Sequence, residues 1–550
     1  MTHSQNDLQR DAASARPAPQ PGRDFALERW WATHSELLAA TALTLGFLLR
    51  IRAASGTFLN PDEVLHFLAA NQTSLTAAYR ASVGTAHPPL LILVLYVLRS
   101  FGTSELVLRL PSVIAGTVSC WVAFRWFTIL LGQVAAWIGL IFMTFLPPMI
   151  ELSAEVRQYA LLLCFSALAA YFLERAWAGN SAREMLISFL FLYLAMLTHF
   201  SAILFAGTLG GYSALRLVRE PLSKGLLALW TTGQAGALAL LIFLYQTHIA
   251  PVSSRERAQQ SMQALLTNSY FHWGHDHLSL FIFARSFGVF QYTFGQLAVG
   301  DVAGLMFFAG VAMLLMGKYP PEMAWPRSRE LGIFLLLPFV LNCTAALVDL
   351  YPYGGTRHSA ILAPFAVAGV SFVLARLTGQ RIARGLAAAL LVVVTCHLFG
   401  VPHRPYMLRR DQSRANMTAA MDFIHREVSA TDHIFVDFQS NYFLRYYLCR
   451  ERTAPADAVL ASFHTFQCGG YHVISTDYQT NIFNAEIFLS RWGEMLRLYA
   501  LKPGDTVWVF QAGWDIHLAD QLKEHYPEFR DLNPQRFGRN ITIFKLTVGE

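Results

Sequence analysis

The sequence contains a series of apolar runs that are long enough to cross a lipid bilayer. A membrane-spanning helix needs about 20 predominantly apolar residues. Runs of this kind cover residues 35–54, 106–128, 133–150, 158–178, 184–201, 202–218, 225–247, 299–317, 331–349, 359–376 and 383–401. The sequence therefore predicts an α-helical polytopic membrane protein with eleven transmembrane helices.

The composition agrees with a membrane protein. Hydrophobic residues make up 54% of the 550 positions and charged residues only 14%, whereas a soluble protein carries about 25% charged residues. This balance excludes a soluble enzyme, a disordered protein and a nucleic-acid-binding module. The net charge of +6 is explained by basic residues in cytoplasmic loops, so we expect membrane lipids and no nucleic acid as partners.

The charged residues divide the chain into three regions. Residues 402–550 hold 33 of the 78 charged residues and are about as long as one soluble domain. Residues 1–24 are polar and rich in proline, which predicts a disordered cytoplasmic arm. Residues 25–401 form the predicted membrane domain.

The C-terminal region alternates helical and strand-like segments, which predicts a small α/β domain. The predicted helices cover residues 414–428, 440–449 and 484–499, and the predicted strands cover residues 433–438, 471–476, 506–511 and 539–548.

The basic residues between the apolar runs predict the orientation of the chain. With the N-terminus inside, the predicted inner loops contain Arg125, Arg175, Arg183, Arg216, Arg219, Lys224, Lys318, Arg327, Arg329, Arg376, Arg381 and Arg384. This agrees with the positive-inside rule. The apolar stretch 87–101 is too short to span, and counting it as a span would invert every later loop.

An odd number of spans places the C-terminal region outside. We therefore expect a multi-pass protein of the bacterial inner (plasma) membrane with a cytoplasmic N-terminus and a periplasmic C-terminal domain. Cys449 and Cys468 lie in this domain. They are candidates for a disulfide because the periplasm is oxidising.

The predicted outer loops and helix ends collect an unusual set of polar side chains. An ionisable residue within the bilayer costs up to ~3 kcal/mol, so several that meet near one leaflet indicate a functional site. The candidates are Asp62, Glu63, His66, His87, Glu155, Arg157, Tyr159, His199, Arg357 and His358.

The acidic pair in the first outer loop has two interpretations. Asp62 and Glu63 follow Pro61, as expected in the first turn of a helix, where acidic residues stabilise the helix N-terminus. His66 lies four residues after Asp62 and thus on the same helical face. An acid and an imidazole placed in this way could instead serve as a base and its orienting group.

The other candidates also have structural interpretations. His87 could be an interfacial side chain that reaches water. Glu155 and Arg157 could form only a surface ion pair. Arg357 and His358 follow a Gly-Gly turn and could be anchors at the membrane edge.

A divalent metal is the one cofactor that the sequence suggests. The segment HWGHDH contains His272, His275, Asp276 and His277, whose side chains are of types that bind metal ions. Their spacing matches no known metal signature, and a solvated polar loop is the alternative.

Several motifs in order resemble one family of membrane enzymes. They are NPDE (60–63), HPPL (87–90) with the following RLPS run (109–112), SAEVRQYALLL (153–163), THF (198–200) and GGTRHSAILAP (354–364). In this order they resemble the GT-C superfamily of membrane glycosyltransferases. The nearest branch holds the lipopolysaccharide-core Rgt-type enzymes, the protein O-mannosyltransferases and the aminoarabinose transferase of lipid A. The resemblance covers residues from about 35 to 400.

The resemblance implies a reaction and roles for particular residues. Members transfer a sugar from a polyprenyl-phosphate carrier to an acceptor on the outer face. The catalytic acid of the family corresponds to Asp62, with Glu63 beside it, and the phosphate-binding groups correspond to Arg157, Tyr159 and Arg357. The surrounding sequence NPDEVLHF departs from the family pattern, so the choice of base between the two acids stays open.

The sequence thus predicts a hexosyl- or pentosyltransferase that acts on a lipid, glycan or protein acceptor. His66, His87, Glu155, His199 and His358 are the further candidates for binding substrate. The alternative functions are a transporter or flippase for lipid-linked sugars and a polymer ligase. A transporter often contains internal repeats, and this sequence has no evident repeat.

Overall fold

The computed structural model describes two connected parts, a helical membrane region and a C-terminal sheet domain. It describes residues 23–85, 87–253, 266–317, 328–400, 412–449, 464–476, 485–513 and 516–549. The predicted N-terminal arm lies outside the described residues except for its last two, residues 23 and 24, which begin the first helix.

The described membrane region consists of helices and short connections. Its helices are α1 Arg23–Ser55, α2 Pro61–Ala70, α3 Leu75–Ser82, α4 Leu90–Leu98, α5 Glu105–Leu131, α6 Gln133–Phe145, α7 Pro147–Leu152, α8 Tyr159–Ala178, α9 Ala182–Met196, α10 Ser201–Leu217, α11 Lys224–Leu244, α12 Ala250–Ser253, α13 Leu278–Phe294, α14 Leu297–Leu315, α15 Ser328–Leu347, α16 Ala363–Leu377 and α17 Ile382–Phe399. A π-helical turn, Tyr245–Ile249, follows α11, and a 3-10 turn, Arg357–Leu362, leads into α16.

The predicted membrane helices are confirmed as helices. In the described part of the chain, eight segments have the length and apolar composition to span a membrane: Thr33–Ser55, Glu105–Leu131, Tyr159–Ala178, Lys224–Ile249, Leu297–Leu315, Ser328–Leu347, Arg357–Leu377 and Ile382–Phe399. The three other predicted spans correspond to α6, α9 and α10, which have 13, 15 and 17 residues. The chain is therefore a multi-pass membrane protein.

The chain between the predicted spans 225–247 and 299–317 contains a helix that the sequence analysis missed. This helix, α13, has 17 residues, and Arg285 and Ser286 interrupt its apolar run. Its sequence therefore does not predict a membrane span. The stretch 87–101 forms the short helix α4 and a 3-10 turn, as expected for a segment that does not span.

The basic helix ends lie opposite the C-terminal domain and are held by ion pairs. Glu105, at the start of α5, contacts Arg414 of the C-terminal domain, so the other end of α5 is remote from that domain. At the remote end the pairs are Arg125–Glu36, Arg175–Glu184, Arg216–Glu174 and Arg219–Glu330. These contacts connect α1 to α5, α8 to α9 and α10, and α10 to α15.

The C-terminal domain contains one mixed sheet with helices. Its strands are β1 His433–Val436, β2 His464–Cys468, β3 Tyr471–Ser475, β4 Thr506–Ala512, β5 Gln535–Arg536 and β6 Ile541–Thr547, and its helices are α18 Arg414–Glu427, α19 Phe438–Tyr447, α20 Ala485–Leu498 and α21 Leu518–His525. The strand order is β2-β3-β1-β4-β6-β5, with β1 parallel to both β3 and β4. The α/β prediction is confirmed, although β2, β5 and α21 were not predicted.

A disulfide joins Cys449 and Cys468 in this domain. Cys449 follows α19 and Cys468 ends β2, and both side chains are buried. The bond therefore fixes the end of α19 to the sheet.

Helix α19 attaches the C-terminal domain to the membrane region. The Tyr446 hydroxyl donates to the carbonyl oxygen of Thr103 at 2.6 Å. The Tyr447 hydroxyl accepts from the Leu59 amide at 2.8 Å and donates to Glu105 at 3.2 Å. These bonds hold α19 against the segment that leads into α2 and against the start of α5.

Candidate active site

The start of α2 is fixed by the sequence Asn60-Pro61-Asp62-Glu63. Pro61 occupies the first helical position, where its missing N–H costs nothing. The Asn60 side chain accepts from the Glu63 amide at 3.0 Å, and the Glu63 carboxylate accepts from the Asn60 amide at 2.8 Å. This reciprocal capping box stabilises the helix N-terminus and leaves the intervening Asp62 side chain for another role.

Glu63 is fully buried in an ion pair with Arg109 of α5. Arg109 donates from Nε to one oxygen of Glu63 and from Nη2 to the other, both at 2.7 Å. The Val156 amide adds a third donor at 2.8 Å. Arg109 also donates to the carbonyl oxygens of Ala54, Thr57 and Phe58. The pair therefore ties α2, α5 and the segment before α8 together.

Asp62 lies instead between two arginines from distant parts of the chain. Its Oδ2 atom is 2.9 Å from Nη1 of Arg157 and 2.6 Å from Nη2 of Arg357. The Asp62 side chain keeps 20% of its surface exposed. Both arginines therefore contact the same carboxylate oxygen, and within the described part of the chain no hydrogen bond is seen to Oδ1.

The two arginines are positioned by breaks in the helices that carry them. Arg157 lies in the bend between α7 and α8, where the Ser112 hydroxyl donates to its carbonyl oxygen. Arg357 begins the 3-10 turn before α16. A Cβ atom on Gly355 would lie 2.8 Å from the carbonyl oxygen of Gly288 in α13, so only glycine allows this close packing of the loop that precedes Arg357.

The charge of the two guanidinium groups controls the ionisation of Asp62. Burial raises the pKa of this carboxyl group, but Arg157 and Arg357 lower it, and the pKa lies below its ordinary value. Asp62 is therefore ionised at neutral pH, and the two arginines carry one positive charge more than it neutralises.

His66 lies beside Asp62 with a defined tautomer. Its Nδ1 is 2.5 Å from the carbonyl oxygen of Asp62, which only accepts, so the proton is on Nδ1. Burial, with the charge of Arg157 adding to it, lowers the pKa of His66 to about 3. The imidazole is therefore neutral, and its buried Nε2, which has no partner among the described residues, is an acceptor.

The other predicted histidines continue from His66 as a column of rings. His66 stacks on His87 at 5.6 Å between ring centroids, and His87 stacks on His199 at the same distance. Tyr159 lies 5.2 Å from His199 and 6.4 Å from His358. Burial, with Arg157 contributing, places the pKa of His87 well below its ordinary value, so this ring is neutral too.

The site candidates thus separate into groups. The structure gathers Asp62, His66, His87, Arg157, Tyr159, His199, Arg357 and His358 through the contacts above, whereas Glu63 belongs to the ion pair with Arg109. Glu155 lies half-buried in the bend that carries Arg157.

The four metal candidates are not gathered into a metal site. His272 Nδ1 is 3.2 Å from Asp276 Oδ2, and the His272 amide donates to the same oxygen. These contacts join only His272 and Asp276 in an exposed turn, and they do not include His275 or His277. Among the residues that the structure describes, no group of three or more histidine, cysteine or acidic side chains is arranged to hold a metal ion.

Sequence reasoning missed the partner of Glu63. The capping box was detectable, because Asn60 precedes Glu63 by three residues, which is its characteristic spacing. Arg109 also carried a signal, since an arginine within an apolar run needs a buried partner. Nothing local to either residue indicated that the two form one pair.

Comparisons with known proteins agree with this architecture. Residues 86–246 match the family described as dolichyl-phosphate-mannose-protein mannosyltransferase. The sequence matches no curated protein. The crystal structure of ArnT from Cupriavidus metallidurans bound to undecaprenyl phosphate is 12% identical, covering 94% of this chain and 99% of that chain, with a TM-score of 0.52. An Archaeoglobus fulgidus oligosaccharyltransferase tethered with an acceptor peptide is 10% identical over 88% of this chain and 70% of that chain, with a TM-score of 0.47.

The fold of the chain is similar to that of ArnT. The similarity to ArnT extends over nearly the whole of both chains. The resemblance predicted from the sequence motifs is confirmed at the level of the fold.

Proposed function

We propose that this protein transfers a sugar from a polyprenyl-phosphate carrier to a hydroxyl-bearing acceptor at the outer face of the bacterial inner membrane. The observation that carries the proposal is the position of the Asp62 carboxylate between Arg157 and Arg357. This arrangement combines a proton acceptor with two anion-binding groups at one end of the membrane helices. Undecaprenyl phosphate, which is bound in the ArnT structure, has the charge that two arginines would bind.

In the proposed reaction, Arg157 and Arg357 bind the carrier phosphate. Guanidinium groups make charge-assisted hydrogen bonds to phosphate, and each is worth about 1.5–3 kcal/mol. The phosphate would share the arginines with Asp62 and thereby weaken their hold on its carboxylate. The pKa of Asp62 would then rise towards its ordinary value, which makes the carboxylate a better base.

The acceptor hydroxyl would then attack the anomeric carbon of the sugar. A bond forms between the acceptor oxygen and the anomeric carbon, and the bond from that carbon to the phosphate oxygen breaks. Asp62 takes the hydroxyl proton, and the phosphate leaves with the electron pair. A positioned carboxylate contributes about 10²–10⁴-fold in rate as a general base.

Glu63 is a poor second candidate for the base. Both of its oxygens accept hydrogen bonds from Arg109, and it also caps α2. We therefore assign Glu63 to the framework and Asp62 to the reaction.

The proposal is tested by comparing envelope glycans between a deletion strain and a complemented strain with mass spectrometry. The expected result is one glycan, glycolipid or glycoprotein that lacks a single sugar in the deletion strain and regains it with the wild-type gene, but not with Asp62→Asn. An unchanged set of glycans would overturn it. Loss of a whole polymer with its carrier-linked repeat intact would favour a ligase, and a lipid-linked sugar retained on the inner leaflet would favour a flippase.

A further inference from the structure

A tyrosine of the C-terminal domain lies against the candidate active site. Tyr442 is on α19, four residues before Tyr446, so the two rings share one face of the helix. Tyr442 is 2% exposed and belongs to the same buried cluster as Val64 and Phe67 of α2. The helix of the outer domain therefore packs directly on the helix that carries Asp62.

The Tyr442 hydroxyl differs from its neighbours on the same helix. The hydroxyls of Tyr446 and Tyr447 are both used in attaching α19, as described above. The Tyr442 hydroxyl is buried and has no hydrogen-bond partner among the described residues. Burying a hydroxyl without a hydrogen-bond partner is unfavourable, so a bound ligand is the simplest candidate for the missing partner.

The surroundings of Tyr442 indicate what kind of ligand it would bind. Burial raises the pKa of its phenol well above the ordinary value, and the charge of Asp62 adds to this. The group therefore stays protonated, and it can donate a hydrogen bond to a substrate hydroxyl or accept one from it. The arginines that would bind phosphate come from the membrane helices, whereas Tyr442 comes from the other domain.

We propose that the Tyr442 hydroxyl binds the hydroxyl-bearing acceptor beside Asp62, so that the C-terminal domain supplies part of the acceptor subsite. This proposal rests on the glycosyl transfer proposed above. It gives α19 two functions, since Tyr446 and Tyr447 attach the domain and Tyr442 contacts the substrate.

The test uses the purified full-length protein added to washed membranes of a strain that lacks it, which supply the lipid-linked sugar and the unmodified acceptor. Tyr442→Phe removes only the hydroxyl. We expect the initial rate of product formation, measured by mass spectrometry at low membrane concentration, to fall roughly threefold to tenfold. Inhibition by added undecaprenyl phosphate should keep its wild-type half-inhibiting concentration, because the donor site is intact.

The matched control is Tyr446→Phe on the same helix face. This variant loses the bond to Thr103 and should lower the thermal unfolding temperature, whereas Tyr442→Phe should not lower it. A wild-type rate for Tyr442→Phe would overturn the proposal. Equal losses of rate and stability in both variants would make Tyr442 an attachment residue, and weakened undecaprenyl phosphate inhibition would move it to the donor site.

These outcomes are distinguishable from failure of the proposed function. If the wild-type protein forms no glycosylated product from these membranes, then the glycosyl transfer itself is wrong. If the wild-type protein forms product and Tyr442→Phe forms it equally fast, only the acceptor subsite is wrong.

Discussion

At the scale of the residue, Asp62 and Glu63 are adjacent in sequence but have different environments. Successive residues in a helix point about 100° apart, so one carboxylate can face the site while the other faces the protein interior. Asp62 is partly exposed between Arg157 and Arg357, and Glu63 is buried against Arg109. In the proposed reaction Asp62 is the base, whereas the contacts of Glu63 are those of a structural residue.

The difference predicts opposite consequences for conservative substitutions. Glu63→Gln leaves the Arg109 charge buried without its anion, and removing one partner of a buried ion pair costs about 3–5 kcal/mol. We expect a marked loss of thermal stability in detergent solution, with Asp62→Asn close to wild type. Glu427→Gln, which removes an exposed pair with Arg426, is the control and should change stability little. If Glu63→Gln is as stable as the wild-type protein, Glu63 does not have the structural role assigned to it here.

The arginines should depend on their shape as well as on their charge. A guanidinium group can bind two phosphate oxygens through its planar fork, whereas lysine provides a single point charge. Arg357→Lys should therefore be impaired and Arg357→Ala more so, with roughly a ten- to hundredfold loss in catalytic efficiency for the alanine variant. The loss should appear when the concentration of the lipid-phosphate donor is varied and the acceptor is saturating. If Arg157→Ala and Arg357→Ala both keep the wild-type dependence of rate on donor concentration, the two arginines are only membrane-edge anchors.

At the scale of the element, the loop before α16 determines where Arg357 lies. Gly354 has φ of 135°, a conformation that favours glycine, and Gly355 packs against the backbone of α13. The Gly-Gly pair is therefore a structural requirement of the site, although neither residue has a side chain to offer.

Gly355→Ala tests this requirement. The new Cβ would collide with the Gly288 carbonyl oxygen and displace the loop that carries Arg357. A misplacement of about 1 Å at a site costs up to ~10²-fold in rate, and we expect a loss of that order in transfer and weaker binding of undecaprenyl phosphate. Gly225→Ala is the control, since a Cβ there meets nothing within 4 Å. Equal activity in the two variants would show that the packing does not position Arg357.

At the scale of the whole molecule, all of the site lies at the end of the helical bundle that contacts the C-terminal domain. The positive-inside rule assigns a set of basic residues to the cytoplasm. The four of them that form the ion pairs described above lie at the other end: Arg125, Arg175, Arg216 and Arg219. This predicts that a reporter active only in the periplasm, fused after Glu550, will be active. Activity of a cytoplasmic reporter at that position would invert the orientation and move the proposed site to the cytoplasmic face.

The sequence predicted the helices well because membrane spans are defined locally, by about 20 apolar residues in a row. It failed for α13, whose apolar run is interrupted by Arg285 and Ser286. The members of the site were also predictable one by one, as polar residues at the predicted outer ends of spans.

Which of these residues touch one another was beyond the reach of local patterns. Asp62 and Arg357 are 295 positions apart, and Tyr447 meets Leu59 across 388 positions. Such contacts depend on the tertiary fold and leave no periodic signal. The different environments of Asp62 and Glu63, and the packing of Tyr442 with α2, therefore became apparent only from the structure.

The most direct test of the central claim is the fate of the carrier when the purified protein acts. With wild-type protein and membranes that contain the lipid-linked sugar, mass spectrometry should detect free polyprenyl phosphate and glycosylated acceptor in equal amounts. Asp62→Asn should bind undecaprenyl phosphate but lose about 10²–10⁴-fold in the rate of both products, because a general base of this kind contributes that much. Near-normal turnover by Asp62→Asn, or movement of the intact lipid-linked sugar without release of polyprenyl phosphate, would contradict the account.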